Sequence, residues 1–207
     1  MMDEVEQVAA GIGRLAAFWR TARWQARGAD GLHPTQAEVL VRVADRPARL
    51  GALARELGVT AATLSDSVST LVDKGLAARA PDPADGRAQQ IRATADGRAT
   101  AAALGPAPEA LMAQIAAMPA AERGAMLRAL TRIIRGLQEA GAIPVQRMCV
   151  TCRYFRPDAH DDAARPHHCA LVDAAFGDAA LRLDCGEHED APAPDRAKAW
   201  EVFAGAQ

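Results

Sequence analysis

The stretch of sequence that decides the fold is residues 50–94, which read LGALARELGVTAATLSDSVSTLVDKGLAARAPDPADGRAQQIRAT. Leu53 and Leu57 recur at the spacing of one helical face, and Gly58 follows where a left-handed residue commonly ends a helix. Thr60 then stands where a hydroxyl can cap the first free amides of a second helix. A helix, a short turn and a second helix predict a helix-turn-helix.

The second helix of this motif has an apolar face and a polar face. When the apolar face is buried, the side chains left outside are small or polar, as a helix entering a DNA major groove about 12 Å wide requires. The candidate DNA-reading residues of this helix are Thr60, Ala61, Ala62, Thr63, Ser65, Asp66 and Ser69.

The residues after this helix have the order of a β-hairpin wing. Residues 76–79 and 89–93 can form two short strands, and residues 81–87 between them are rich in turn formers. Arg87 near the tip suits a backbone phosphate or a narrow minor groove. We predict that Asp85 braces Arg87 through a charge-assisted hydrogen bond.

Together these features resemble the MarR family of winged-helix transcriptional regulators. The resemblance rests on residues 53–59, the helix 60–74 with Gly75 and Leu76, the wing signature 82–87, and the segment LHPTQAEVL at 32–40. It covers roughly residues 1–141 and implies a sequence-specific DNA-binding regulator, a repressor rather than an enzyme. Asp66 departs from the family, whose recognition helices often carry arginine there. A carboxylate at this position can accept from a cytosine amino group or can repel phosphate.

We call the helix-turn-helix and wing at residues 50–94 the reader. Apolar residues with helical period lie on both sides of it, at residues 3–27 and 120–140. By themselves these stripes fit an ordinary core. The resemblance implies that they pack against a second subunit, so we expect a homodimer on double-stranded DNA with a pseudo-palindromic operator. Trp19 and Trp24 can line a pocket for a small-molecule effector or simply pack in the core.

The composition of the 207 residues favours helices, because 50% are hydrophobic but only 4% are aromatic. The net charge is −2, and residues 46–98 carry eight basic against six acidic side chains. No apolar run is long enough for a membrane span, and the acidic amino terminus is unlike a signal peptide. We therefore expect a cytoplasmic protein.

All four cysteines and four of the five histidines fall within residues 149–188. The arrangement is C-x2-C, sixteen residues, C, fifteen residues, C. In a cytosolic protein such clustering indicates a metal centre more than disulfides. The candidate ligands are Cys149, Cys152, Cys169 and Cys185, with His168 (or His167) as a possible substitute.

Three interpretations of this segment stay open. A structural zinc, with Zn–S near 2.3 Å, is favoured. A [4Fe-4S] cluster on four thiolates is second, because most zinc ribbons use two C-x2-C pairs and this chain has one. The single later cysteines at mid-teens spacing, with residues 154–157 after the first pair, resemble small high-potential-type cluster domains. A thiol switch without metal, or cysteines that only pack, comes third. A metal centre here predicts a regulator that responds to metal or redox state, and the alternative function is a redox or metal-dependent enzyme or a scaffold.

The predicted fold class is therefore mainly α, as an α+β winged helix. A helical dimerisation region and the winged helix-turn-helix at 50–94 form a domain of residues 1–141. A small Cys/His-rich module follows at 145–190, and residues 191–207 form a tail that docks on the body or stays in solvent. We find no motif for a catalytic site in the sequence.

Overall fold

The computed structural model of the chain describes residues 2–25, 31–83, 85–105 and 107–205. Four predicted features fall partly outside these residues: the end of the first helix at 26–30, Ala84 of the wing, Pro106 of the helix break and residues 206–207 of the tail. The chain divides into two compact units, Met1–Gln114 and Ile115–Gln207.

The chain is mainly helical with two small antiparallel sheets, which confirms the predicted fold class. In chain order the elements are α1 (Glu4–Gln25), α2 (Pro34–Asp45), β1 (Ala48–Arg49), α3 (Leu50–Leu57), α4 (Ala61–Asp73), β2 (Ala77–Asp82), β3 (Asp85–Ala93), α5 (Ala95–Leu104), α6 (Glu109–Ala117), α7 (Ala120–Glu139), β4 (Phe155–Arg156), β5 (His167–Cys169), β6 (Ala174–Phe176) and α8 (Ala193–Gly205). No helix among the described residues is both long enough and apolar enough to cross a bilayer.

Local sequence signals produce the turn between α3 and α4. Gly58 ends α3 with φ of 65°, a left-handed conformation that glycine adopts without steric cost. The backbone N–H of Val59 then donates to Ala54 O at 3.1 Å and closes the helix end. Thr60 caps α4, since its hydroxyl accepts from the Thr63 N–H at 3.1 Å. The predicted helix-turn-helix is confirmed.

The wing is a hairpin of β2 and β3 on which β1 adds a third strand, in the order β1-β3-β2. Ile91 of the central strand is opposite Ala48 on one side and Arg79 on the other. Ile91 is only 1% exposed and packs in one core with Leu40, Leu53 and Leu64. The base of the wing and the helix-turn-helix therefore share a single core.

α5 approaches the base of the wing so closely that one position admits only glycine. A Cβ built on Gly97 would lie 1.8 Å from the carbonyl oxygen of Leu76. The same carbonyl accepts the Thr94 N–H at 3.0 Å, and the Thr94 hydroxyl donates to Gly75 O at 2.7 Å. These contacts fix where the chain leaves the wing and enters α5.

The second unit has its own core and its own sheet, with strand order β4-β5-β6. Buried Met148, Val150, Phe155, Leu181 and Phe203 form this core. Leu127 and Ile134 of α7 pack against it, so α7 belongs with the cysteine segment, whereas the sequence grouped it with the domain of residues 1–141. For the tail as far as residue 205, docking is the one of the two alternatives that is observed, because Phe203 of α8 is fully buried.

Candidate nucleic-acid interface and cysteine cavity

The outer face of α4 presents a row of small and polar side chains. All the candidate DNA-reading residues are exposed except Ser65, which is half-buried. The inner face buries Leu64, Val68 and Leu71, as the periodicity predicts, together with Ser67, whose hydroxyl donates to Thr63 O at 3.1 Å. The helix therefore has one face for the core and one for a partner.

Asp66 lies near the middle of this outer face with its carboxylate exposed. Within the part of the chain that the structure describes, this carboxylate has no hydrogen-bond or ion-pair partner. The backbone oxygen of Asp66 accepts from the Thr70 hydroxyl at 3.0 Å, which leaves the side chain unconstrained. An exposed acceptor at this position can meet a donor on a base edge.

Arg79 of β2 joins the wing to this face, and the sequence analysis missed it. Its Nη2 lies 3.4 Å from Ser69 Oγ, near the limit of a hydrogen bond. The guanidinium is exposed and stands beside the helix that would enter the groove. In the sequence, Arg79 was marked only by its position on the strand that directly follows the second helix of the motif.

At the tip of the wing, the predicted bracing of Arg87 by Asp85 takes a different form. Only the backbone N–H of Arg87 donates to Asp85 Oδ1, at 3.2 Å, which is the local turn contact that aspartate commonly makes two residues ahead. Arg49 takes the place of the Arg87 guanidinium, with Nε 2.5 Å from Asp82 Oδ2 and Nη2 3.6 Å from Asp85 Oδ2. The predicted hydrogen bond between Arg87 and Asp85 is therefore present, but its donor is the backbone N–H, and it is Arg49 of β1 whose guanidinium reaches both carboxylates.

These ion pairs set the charge that the wing presents to solvent. Asp82, by its hydrogen bond and its charge, raises the pKa of the Arg49 guanidinium, and this positive charge balances the two carboxylates. Arg79, Arg87 and Arg92 remain as exposed cations on the two long strands. The wing is therefore more basic than the near-neutral charge of the whole chain indicates.

In the second unit all four cysteines line one cavity of about 190 Å³. Cys149 and Cys152 flank a single 3-10 turn in which the Cys152 N–H donates to Cys149 O at 2.9 Å. Cys169 ends β5, and Cys185 is held from the other side by a bond from its N–H to Arg147 O at 3.0 Å. The fold thus gathers the predicted cysteine ligands around a common space.

The sulfur of Cys149 accepts a hydrogen bond from the Arg182 N–H at 3.3 Å. Burial raises the pKa of the Cys149 thiol, the Arg182 N–H lowers it, and the charges of the other three cysteines raise it. All four cysteines are free thiols. Among the residues that the structure describes, no set of three or more His, Cys, Asp or Glu side chains forms a site for a single metal ion.

The histidines have other partners. His168 Nδ1 lies 3.2 Å from His160 Nε2, and His168 Nε2 lies 3.3 Å from Asp173 Oδ1. His167 is fully buried; its Nδ1 accepts from the Asp158 N–H at 3.2 Å, so its Nε2 carries the proton that is donated to Asp178 at 2.9 Å. Neither histidine lines the cysteine cavity.

His188 lies on the other side of the module, where its Nε2 is 2.9 Å from the Thr151 hydroxyl. Burial lowers the pKa of His188, so the ring is predominantly neutral at pH 7. A neutral ring beside buried Thr151 fixes the loop after Cys185 to the turn that carries the first cysteine pair.

Comparison with known proteins adds three findings. A sequence model of the MarR family matches residues 30–88, from α2 into the first residues of β3, and does not reach the cysteine segment. No curated protein matches the chain. Solved structures of transcriptional regulators match its fold.

One similar structure is CouR from Rhodococcus jostii RHA1 bound to p-coumaroyl-CoA, with 20% identity, a TM-score of 0.55, and coverage of 70% of this chain and 98% of that chain. Another is a MarR-family transcriptional regulator from Silicibacter pomeroyi, with 23% identity, a TM-score of 0.53, and coverage of 62% and 86%. BldR from Sulfolobus solfataricus has 19% identity, a TM-score of 0.51, and coverage of 65% and 99%. At these identities the likeness establishes a shared winged-helix fold.

Proposed function

We propose that this chain is a MarR-type transcriptional regulator that binds double-stranded DNA as a homodimer and acts as a repressor. The observation that carries the proposal is the outer face of α4, which is small, polar and exposed, beside a wing with three exposed arginines. The family match to residues 30–88 supports it, because that stretch contains the whole reader except the end of β3.

In this proposal α4 enters the major groove with its amino-terminal end and outer face. Ser65, Asp66 and Ser69 face the base edges, and the Asp66 carboxylate accepts from a cytosine amino group. The small side chains of Ala61 and Ala62 let the helix backbone approach the groove closely. Base contacts of this kind set sequence preference rather than overall affinity.

Affinity comes from the wing. Arg87 at its tip and Arg79 beside α4 are placed to neutralise phosphates on either side of the groove, which is the main source of sequence-independent binding. Arg49 supports them indirectly, since it balances the two carboxylates of the hairpin, Asp82 and Asp85. Without that pairing the wing would present negative charge to the DNA backbone.

The dimer is supported by the surface of α1. This helix of 22 residues has no buried residue in the single chain. Its apolar stripe is left in solvent, with Val5 76%, Val8 54%, Ile12 43% and Leu15 44% exposed. A second copy of the chain, with the same stripe, covers such a surface in a self-complementary way. A dimer also brings two winged helix-turn-helix units, each with a weak excess of basic side chains, to one operator.

Repression follows from occupancy, because a dimer on a pseudo-palindromic operator excludes other proteins from that DNA. Release requires an effector that binds one state of the dimer better than the other. The CouR structure contains p-coumaroyl-CoA. By analogy we propose a small-molecule or redox effector for this chain, whose chemical identity is a separate question.

The test is selection of DNA from a randomised pool by the full chain, followed by binding isotherms on the selected sequence and on a scrambled one. We expect a two-fold symmetric consensus whose half-sites lie about one helical turn apart. Equal affinity for the selected and scrambled duplexes, or no affinity at low salt, would contradict the proposal.

A further inference from the structure

We propose that the cavity lined by Cys149, Cys152, Cys169 and Cys185 binds a [4Fe-4S] cluster, with the four thiolates as its iron ligands. This assignment differs from the single zinc ion that spacing alone favours. It rests on how the four side chains surround their common space. It does not depend on DNA binding, so it stands or falls separately from the proposed function.

The first argument is size. Four thiolates around one zinc lie about 3.8 Å apart, because each Zn–S bond is near 2.3 Å and the geometry is tetrahedral. The cysteine cavity has a volume of about 190 Å³. That is several times the roughly 30 Å³ that one water molecule occupies in the liquid. A single ion occupies only a small part of this space, which has room for the larger core of four irons and four sulfides.

The second argument is the number and type of ligands. A [4Fe-4S] cluster takes four cysteine thiolates, one for each iron corner. The cavity offers four thiols and no histidine, because His167 is committed to Asp158 and Asp178 and His168 lies against His160 and Asp173. The thiols come from three separate segments, which lets them surround a large group from different sides.

The third argument is the set of residues that line the cavity beside the four sulfurs. Phe155, Phe176 and Leu171 line the cavity with apolar surface, and the Arg182 N–H donates to Cys149 Sγ at 3.3 Å. Hydrogen bonds to the ligand sulfurs are one means by which proteins hold and tune iron–sulfur clusters. The cavity therefore supplies apolar side chains and a hydrogen bond to sulfur as well as the four thiols.

Cluster binding has a structural consequence within this unit. Cys149 and Cys152 pack against the core that also receives Leu127 and Ile134 of α7. A group that joins the four cysteines therefore ties β5 and the loops around it to the same core as α7. Loading should raise the thermal stability of the second unit, because the cluster binds the folded state alone.

The decisive experiment uses the full chain, purified without oxygen and treated either with ferrous iron, sulfide and a thiol reductant or with zinc chloride. We expect about four irons and four acid-labile sulfides per chain, together with broad visible absorption and the Mössbauer spectrum of a four-iron cluster. Two irons and two sulfides, or one iron without sulfide, would overturn the assignment. So would a chain that binds one zinc tightly and takes up no iron and sulfide.

Variants test the ligands. Cys169→Ser and Cys185→Ser should lose most of the iron and sulfide and the gain in thermal stability. His168→Ala is the matched control, since it lies in the same strand as Cys169 but outside the cavity, and it should load as the wild type does. Full loading of Cys169→Ser, or loss of the cluster in His168→Ala, would contradict the ligand set. The wild-type stoichiometry decides the proposal even where a variant fails to fold.

Discussion

The guanidinium of Arg49 holds the Asp82 carboxylate, with Nε 2.5 Å from Oδ2. The pair links β1, which precedes the helix-turn-helix, to the end of β2, where the wing begins to turn. Arg49 also reaches Asp85 across the tip, at 3.6 Å. One arginine thus balances both acidic side chains of the hairpin and leaves the Arg87 guanidinium available for DNA.

Replacement of Arg49 by glutamine should weaken DNA binding although Arg49 itself need not touch DNA. The change removes the positive charge that faces Asp82 and Asp85, so affinity for specific and random duplexes should both fall. Because the Arg49 guanidinium is itself exposed in the pair, the urea midpoint should fall only slightly. The double variant with Asp82→Asn should recover part of the affinity; an Arg49→Gln protein that binds DNA like the wild type would show that the pairing is irrelevant.

Arg87→Ala should weaken binding to the selected operator and to random DNA by the same factor. Loss of one phosphate contact should make the plot of log affinity against log salt shallower by about 1. Arg165→Ala is a control with the same loss of charge, because Arg165 is an exposed arginine paired with Asp162 far along the chain. Unchanged affinity at low salt would remove Arg87 from the interface.

Asp66→Asn should change which sequence is selected. A carboxylate accepts from cytosine, whereas an amide can pair with adenine, and a good base contact discriminates by about 1–3 kcal/mol. Selection from the randomised pool should therefore return a different base at one symmetric pair of positions, with the flanking positions kept. An identical consensus for both proteins would place Asp66 away from the bases.

Ile12→Glu should convert the dimer to a monomer, because it puts a charge in the middle of the exposed apolar stripe of α1. Thr21→Glu is the matched control: it is exposed on the same helix, and nine residues at 100° each place it on the opposite face. Light scattering after size exclusion, at micromolar concentration, measures the result. Two variants with the same mass as the wild type would argue against α1 as the dimer surface.

Gly97→Ala should destabilise the first unit by about 1–3 kcal/mol or more, since the added methyl overlaps the Leu76 carbonyl. Gly51→Ala is the control, because Gly51 lies in α3 and a Cβ there meets no atom within 4 Å. That change should be neutral or stabilise by up to about 1 kcal/mol. Urea unfolding measures both, and equal midpoints would contradict the close approach of α5.

The reader could be predicted from sequence because its signals are local. Gly58 and Thr60 mark the turn within a few residues of the helices that they end and begin, and the hairpin follows directly. The pairing of Arg49 with Asp82 could not be predicted in this way, since 33 residues separate the two side chains. Arg87 and Asp85 are close in sequence, so their contact could be predicted, but its donor is the Arg87 backbone N–H and not the guanidinium.

The cysteine segment, too, could be predicted from the sequence only in part. Spacing singled out the four cysteines as candidate ligands, because thiols are rare and clustered in this chain, but the size of the space between them depends on how three segments fold together. The helical pattern of α7 was also clear from sequence. The surfaces that pack against α7 were not clear from the sequence, because an apolar stripe does not specify which surface covers it.

The position of Phe203 has a consequence for how the chain is made. Arg128 of α7 donates to Phe203 O across 75 intervening steps of sequence, and the Phe203 ring closes the core on which Leu127 and Ile134 lie. At a synthesis rate of about 5–20 residues per second, α7 waits roughly 4–15 s for this partner to emerge from the ribosome. The reader has all its residues well before then, so it can fold during translation while α7 still exposes apolar surface. The newborn chain is therefore most open to chaperones and proteases in this interval.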